Sequence, residues 1–112
     1  MSDLMMEELF SILTNQLKKK IGNELKDIIL YGSYARGTYD VESDIDIAVI
    51  INTSRENMRN YDNDIVQLMS ELLDQYGIVV NICDIPHEEY LYWKDTVPFY
   101  RNIDKEGKRL IA

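Results

Sequence analysis

Two aspartates one residue apart, Asp44 and Asp46, follow a glycine–serine pair, Gly32-Ser33, after ten intervening residues. The aspartates open an apolar run, Ile47-Ala48-Val49-Ile50-Ile51, and the glycine closes another, Ile28-Ile29-Leu30-Tyr31. Side chains alternate along a strand, so Asp44 and Asp46 point one way while Ile45 and Ile47 point the other. Strands disfavour aspartate, and two like charges on one face repel, so the pair needs a reason to be there. A divalent cation supplies one: Mg²⁺ takes hard oxygen ligands and completes its shell with substrate phosphates and water. Strand, glycine-bearing turn and strand thus set a backbone cradle opposite two carboxylates, an arrangement suited to a metal-bound triphosphate.

The elements that must position these residues can be read from spacing. Leu4, Leu9, Leu13 and Leu17, with Met6, Phe10 and Ile21, recur at helical intervals and predict an amphipathic helix from about Asp3 to Lys20. Lys18-Lys19-Lys20 complements the dipole at its C-terminal end, and Gly22 suits the cap. Ile28–Tyr31 reads as the first strand and Asp44–Ile51 as the second. Thr53 and Glu56 have capping-box spacing and predict a second helix starting there, continued by Met58, Tyr61, Ile65, Leu68, Met69, Leu72 and Tyr76 and ended by Gly77. Ile78 to Cys83 reads as a third strand. Pro86 and Pro98 are each placed to start a short helix, with Gly107 stopping the last. The expectation is one domain over residues 1–112, an α/β sandwich of the α+β kind in which a small mixed sheet packs against helices.

Composition narrows the function classes. The chain has 112 residues, 46% apolar and 29% charged, with a formal net charge of −8. That sign argues against binding nucleic acid through counterion release and favours a small nucleotide with a basic protein partner. No apolar run approaches the roughly 18 to 20 residues of a membrane span. Met1-Ser2-Asp3-Leu4 lacks the basic start of a secretory leader, and the single cysteine, Cys83, reads as a strand packing residue in a reducing compartment, so a cytoplasmic location is expected. Of the aromatics Tyr90, Tyr92, Trp93, Phe99 and Tyr100, most are expected in the core and the surplus at an interface. His87 reads as a solvent-facing residue at a helix start.

Gly-Ser, ten residues, then Asp-x-Asp resembles the signature of the DNA polymerase β-like nucleotidyltransferase superfamily. The surrounding Gly32-Ser33-Tyr34-Ala35-Arg36-Gly37-Thr38 and Ser43-Asp44-Ile45-Asp46 look most like its minimal nucleotidyltransferase (MNT) branch, most densely over residues 28 to 51. The resemblance implies a nucleotidyltransferase fold and transfer of a nucleotide by in-line attack at the α-phosphorus, with Mg²⁺ as cofactor. It implies that Asp44 and Asp46 hold metal, that Gly32 and Ser33 meet the phosphates of ATP or another NTP, that Arg36 adds a planar donor fork, and that Ser43 belongs to the nucleotide site or only orients Asp44. The duller readings are a turn glycine, a turn hydroxyl, and a surface pairing of Arg36 with Asp40 or Glu42.

The family pattern also implies a third carboxylate on the strand after the long helix. Here Val80-Asn81-Ile82 puts Asn81 at that catalytic position, an amide that brings no charge and cannot act as a base. Asp84 falls on the opposite face of a regular strand, and Glu88 or Glu89 are the remaining substitutes. Similar small proteins pair with a HEPN-type ribonuclease as its antitoxin, some by adenylylating a tyrosine of that partner. The resemblance therefore implies a protein adenylyltransferase of a toxin–antitoxin system. Its alternatives are a weakened binding module that neutralises a HEPN partner by occlusion, or a small-molecule nucleotidyltransferase.

Overall fold

Leucines at four-residue intervals clamp one helix onto a sheet and set the frame. The computed structural model describes residues 3–111, so Met1 and Ser2, read above for a leader, lie outside the described residues. Helix α1 (Asp3–Ile21) buries Leu9, Leu13, Leu17 and Ile21, whereas Leu4, counted in the same stripe, is exposed. Strand β1 (Leu25–Tyr31), the one-turn helix α2 (Ser33–Arg36) and strand β2 (Ile45–Ile51) follow. Helix α3 (Asp62–Tyr76), strand β3 (Val80–Pro86), helices α4 (His87–Trp93) and α5 (Pro98–Glu106), and a short strand β4 (Lys108–Arg109) complete the order.

The sheet runs β3-β2-β1-β4, with β2 parallel to β3 and the other two pairings antiparallel. A parallel neighbour needs a long crossover, which α3 provides. Ile28, Leu30, Ile45, Ile47, Val49, Ile51 and Val80 pack in one cluster with the buried faces of α1 and α3. Ile29, Ala48, Ile50 and Ile85 pack in the other with Tyr90 of α4 and Ile103 of α5. Strand β2 is therefore buried on both faces from Ile47 to Ile51, which is why that stretch is an unbroken apolar run. No helix among the described residues is long and apolar enough to cross a membrane.

Several expectations are corrected. The first strand begins three residues earlier, at Leu25, and the third begins at Val80 and extends to Pro86. Proline is tolerated there because β3 is an edge strand, and it also precedes α4 directly. The Thr53–Glu56 box does not cap α3. Ser54 Oγ accepts the Asn57 N–H at 3.1 Å and opens a 3-10 segment (Asn57–Tyr61), after which α3 starts at Asp62. Most of the Tyr90–Tyr100 aromatics are not core. Only Tyr90 is buried and Tyr100 half-buried, while Tyr92, Trp93 and Phe99 are 74%, 42% and 44% exposed.

Strand β4 carried no sequence signal, being two exposed residues that pair with β1 and are reinforced by side-chain bonds. Arg109 Nε donates to Asp27 Oδ2 at 2.7 Å, and Arg109 also lies 3.6 Å from Asp104, which accepts the Tyr90 hydroxyl at 2.8 Å. Burial, then the Asp104 bond, pushes the Tyr90 phenol up. The turn from α5 into β4 is tight at Gly107, where an added Cβ would run into the Ile103 carbonyl and the Ile29 side chain. Both neighbours belong to packed elements and cannot yield freely. Gly107→Ala is expected to cost about 1–3 kcal/mol by overpacking, read as a lower urea midpoint at unchanged slope.

Candidate functional site

The carboxylate pair sits where the buried strand β2 emerges. Asp46 is half-buried and Asp44, just before the strand, is exposed. Parallel register places Asn81 of β3 directly beside Asp46, and the Asn81 Nδ2 lies 3.3 Å from Asp44 Oδ2 and 3.4 Å from Asp46 Oδ1. The amide thus donates toward both carboxylates and offsets their mutual repulsion. Asn81, not Asp84, completes the trio. Asp84 lies on the other face of β3, beside Val49, in a cavity with Arg55, Arg59 and Asp62. Burial pushes its carboxyl up, the Asp62 charge adds to this, and Arg55 opposes it. Glu89 is also elsewhere, paired with Arg55 at 2.7 Å, and Glu88 is exposed.

Gly32 closes the other side. Its φ of +74° is a left-handed conformation, and a Cβ there would stand 2.5 Å from Asp46 Oδ2. The glycine is therefore required as much by the carboxylate it faces as by the turn. The following residues of the expected glycine-bearing turn form α2, a single helical turn closed by bonds from Arg36 N–H to the Gly32 carbonyl (3.1 Å) and Thr38 N–H to the Ser33 carbonyl (3.0 Å).

Two sequence-named residues sit differently from expectation. Arg36 lies 3.5 Å from Glu106, not with Asp40 or Glu42, in an exposed pair of the kind that contributes little and is readily exchanged for another anion. Ser43 does not orient Asp44. Its hydroxyl donates to Asp40 Oδ1 at 3.2 Å and accepts the Asp40 N–H at 3.0 Å, which folds the loop leading to the pair.

Tyr31 is the neighbour that motif reading missed. It stands opposite Asp46 across the β1–β2 pairing, and its ring meets Phe99 edge-on at 5.8 Å. Burial, then Cys83 and Asp46, pushes its phenol up to about 12. It is a neutral wall beside the carboxylates at working pH. Its place follows from strand register, for which the sequence around it has no marker.

Two carboxylate side chains, one amide and a glycine turn make an oxygen-rich corner open to solvent, a donor set fitting a hard divalent cation. Among the described residues, no three His, Cys, Asp or Glu side chains converge to form a metal site without such help. Any cation there would need further oxygens from the Asn81 amide, water or a ligand.

Comparison with known proteins agrees with this geometry. The family model described as a nucleotidyltransferase domain matches residues 11–111. A candidate protein adenylyltransferase of Methanocaldococcus jannaschii is 38% identical over 104 residues, covering 93% of this chain and 96% of that protein. Among solved structures, a toxin–antitoxin complex with AMP-PNP matches with a TM-score of 0.62 at 24% identity, over 92% of this chain and 73% of that one. A tri-AMPylated Shewanella oneidensis HEPN toxin in complex with MNT antitoxin matches with a TM-score of 0.57 at 21% identity, over 95% and 72%. At these identities the structural matches establish the nucleotidyltransferase fold.

Two substitutions test the local physics. Gly32→Ala and Gly37→Ala share the strain of a positive φ, but the Gly37 Cβ would meet nothing within 4 Å. Gly32→Ala should therefore weaken divalent-cation binding well beyond Gly37→Ala, as measured by calorimetry. Asp84→Asn should raise the melting temperature at pH 7. A raised native pKa means that the folded state binds more protons, so stability is lost as pH climbs from the ordinary value near 3.8 through the raised one. The gain should fade below pH 3.8.

Proposed function

This chain belongs to the nucleotidyltransferase domain family, and on that premise we propose that it transfers AMP from ATP to a tyrosine of a HEPN-type protein partner. One observation carries the reading: Asp44, Asp46 and Asn81 meet at hydrogen-bond range beside the Gly32-Ser33 turn. The relatives support it further. The M. jannaschii protein bears an adenylyltransferase assignment, and the solved complexes pair an MNT antitoxin with a HEPN toxin or hold AMP-PNP.

In this reading Asp44 and Asp46 hold Mg²⁺, with the Asn81 amide oxygen as a neutral third donor after the amide turns over. The cation supplies charge neutralisation for the triphosphate and the departing pyrophosphate. Gly32 keeps the approach to the turn clear, Ser33 donates to the phosphates, and Arg36 exchanges Glu106 for a phosphate oxygen. The acceptor oxygen bonds to the α-phosphorus as the bond to the bridging β-phosphate oxygen breaks. Pyrophosphate leaves and the acceptor proton passes to water, because Asn81 cannot take it. A phenol, with a pKa of about 10, needs far less help from a base than an aliphatic hydroxyl. Asn81 therefore favours tyrosine as acceptor. A cytoplasmic setting goes with this reading, since the donor nucleotide is held there.

Asn81 also favours a second reading, a binding module that neutralises its partner by occlusion. A charge of −8 and the exposed Tyr92, Trp93 and Phe99 suit docking to a basic protein in either case. Intact-mass analysis of the HEPN partner after incubation with ATP and Mg²⁺ separates the two. Transfer adds AMP to the partner and is lost in Asp44→Ala/Asp46→Ala, whereas occlusion leaves the mass unchanged while the complex persists. Asn81→Asp should tighten divalent-cation binding about tenfold in calorimetry, since it replaces an amide ligand with a charged one. No gain in affinity would remove Asn81 from the metal site.

A further inference from the structure

Beyond the carboxylate pair, a cavity of about 610 Å³ opens between the loop that leads to Asp44 and the turn from α3 into β3. Asp44 belongs to its wall as well as to the pair. Tyr34, Tyr39, Val41, Ile78 and Val79 are among its apolar lining residues. This size and the mixed apolar and polar wall suit a small planar ligand.

Two features define what it would take. The rings of Tyr34 and Tyr39 are stacked 4.2 Å apart and 3° from parallel, yet Tyr39 remains 39% exposed. One face of Tyr39 is thus taken and the other is left for a further ring. The charged groups around the cavity are all carboxylates, Asp40, Glu42 and Asp44, with no Lys, Arg or His among its described lining residues. Phosphates are excluded from such a surface by like charge, while a ring bearing an amino donor is favoured.

Resting on the nucleotide reading above, we propose that this cavity holds the nucleobase of the donor nucleotide, stacked on Tyr39, with the phosphates directed away toward Gly32 and Ser33. The carboxylates of the rim prefer a base with an exocyclic amino group, such as adenine, over uracil, which presents a carbonyl at that edge. Asp44, shared between cavity and pair, sets the join between the nucleoside half and the phosphate half.

Calorimetry on the full chain with Mg²⁺, using ATP, UTP and inorganic tripolyphosphate as probes, tests this. The unaltered protein should bind ATP about tenfold tighter than UTP. Tyr39→Ala should weaken ATP about tenfold and leave tripolyphosphate unchanged, with Tyr39→Phe retaining ATP affinity. Val79→Trp, which fills the cavity from the β3 side, should give the same selective loss without touching the loop. Equal effects of both variants on ATP and tripolyphosphate, or none on either, would overturn the base site while leaving the phosphate and metal reading intact. Failure of ATP and tripolyphosphate alike to bind the unaltered protein would overturn that underlying reading, and the base site with it.

Discussion

Strand β2 is buried on both faces over Ile47 to Ile51, and its register cannot slip. A one-residue shift would drive Asp46 into the cluster beneath α1 and α3 and push Ile45 and Ile47 out of it. Burying an unpaired carboxylate costs several kcal/mol, and exposing two isoleucines adds about 1.5–3 kcal/mol each. The two aspartates are therefore held at the mouth of the strand by hydrophobic packing that has nothing to do with their chemistry. Gly32 and Asn81 then fit to that fixed point, one by lacking a Cβ and the other by pairing beside Asp46.

Asn81 changes the electrostatics of the corner more than its shape. A carboxylate there would put three like charges within hydrogen-bond range of one another, tolerable only with cations between them. The amide instead donates to both aspartates. The corner is then self-consistent without a metal, and a bound cation would face two negative ligands in place of three. Lower ligand charge weakens cation affinity and removes the local base. Both effects underlie the proposal of an acceptor that ionises readily and of a donor nucleotide bound in part outside the metal site.

The surfaces around the pair divide that labour by charge and polarity. The cavity next to Asp44 combines aromatic and aliphatic side chains with carboxylates, whereas the turn at Gly32-Ser33 lies beside Arg36. On the far face of β3, Asp84 shares its surroundings with Arg55, Arg59 and Asp62, which separates it from the pair by the thickness of the sheet. The Arg109–Asp27–Asp104–Tyr90 network pins the chain end across β1, and with it α5, whose Phe99 rests on Tyr31 beside Asp46. Packing distant from the site thereby shapes its wall.

What the sequence determined by itself was whatever depends on local periodicity. The two-residue alternation put Asp44 and Asp46 on one face, four-residue spacing identified α1 and α3, and Pro98 and Gly107 bounded α5. Parity along β3 already separated Asn81 from Asp84 onto opposite faces. Only tertiary structure decided which of them meets the pair, because that depends on how β3 registers against β2 across an intervening helix. The same holds for Arg36, which found Glu106 seventy residues away and not its neighbours in the loop. It holds for the Tyr34–Tyr39 stack and its cavity, and for Tyr92, Trp93 and Phe99, whose exposure depends on which face of a short helix reaches the sheet. Local spacing fixes the direction of a side chain relative to its own element; what it faces is set by long-range packing, which the spacing does not encode.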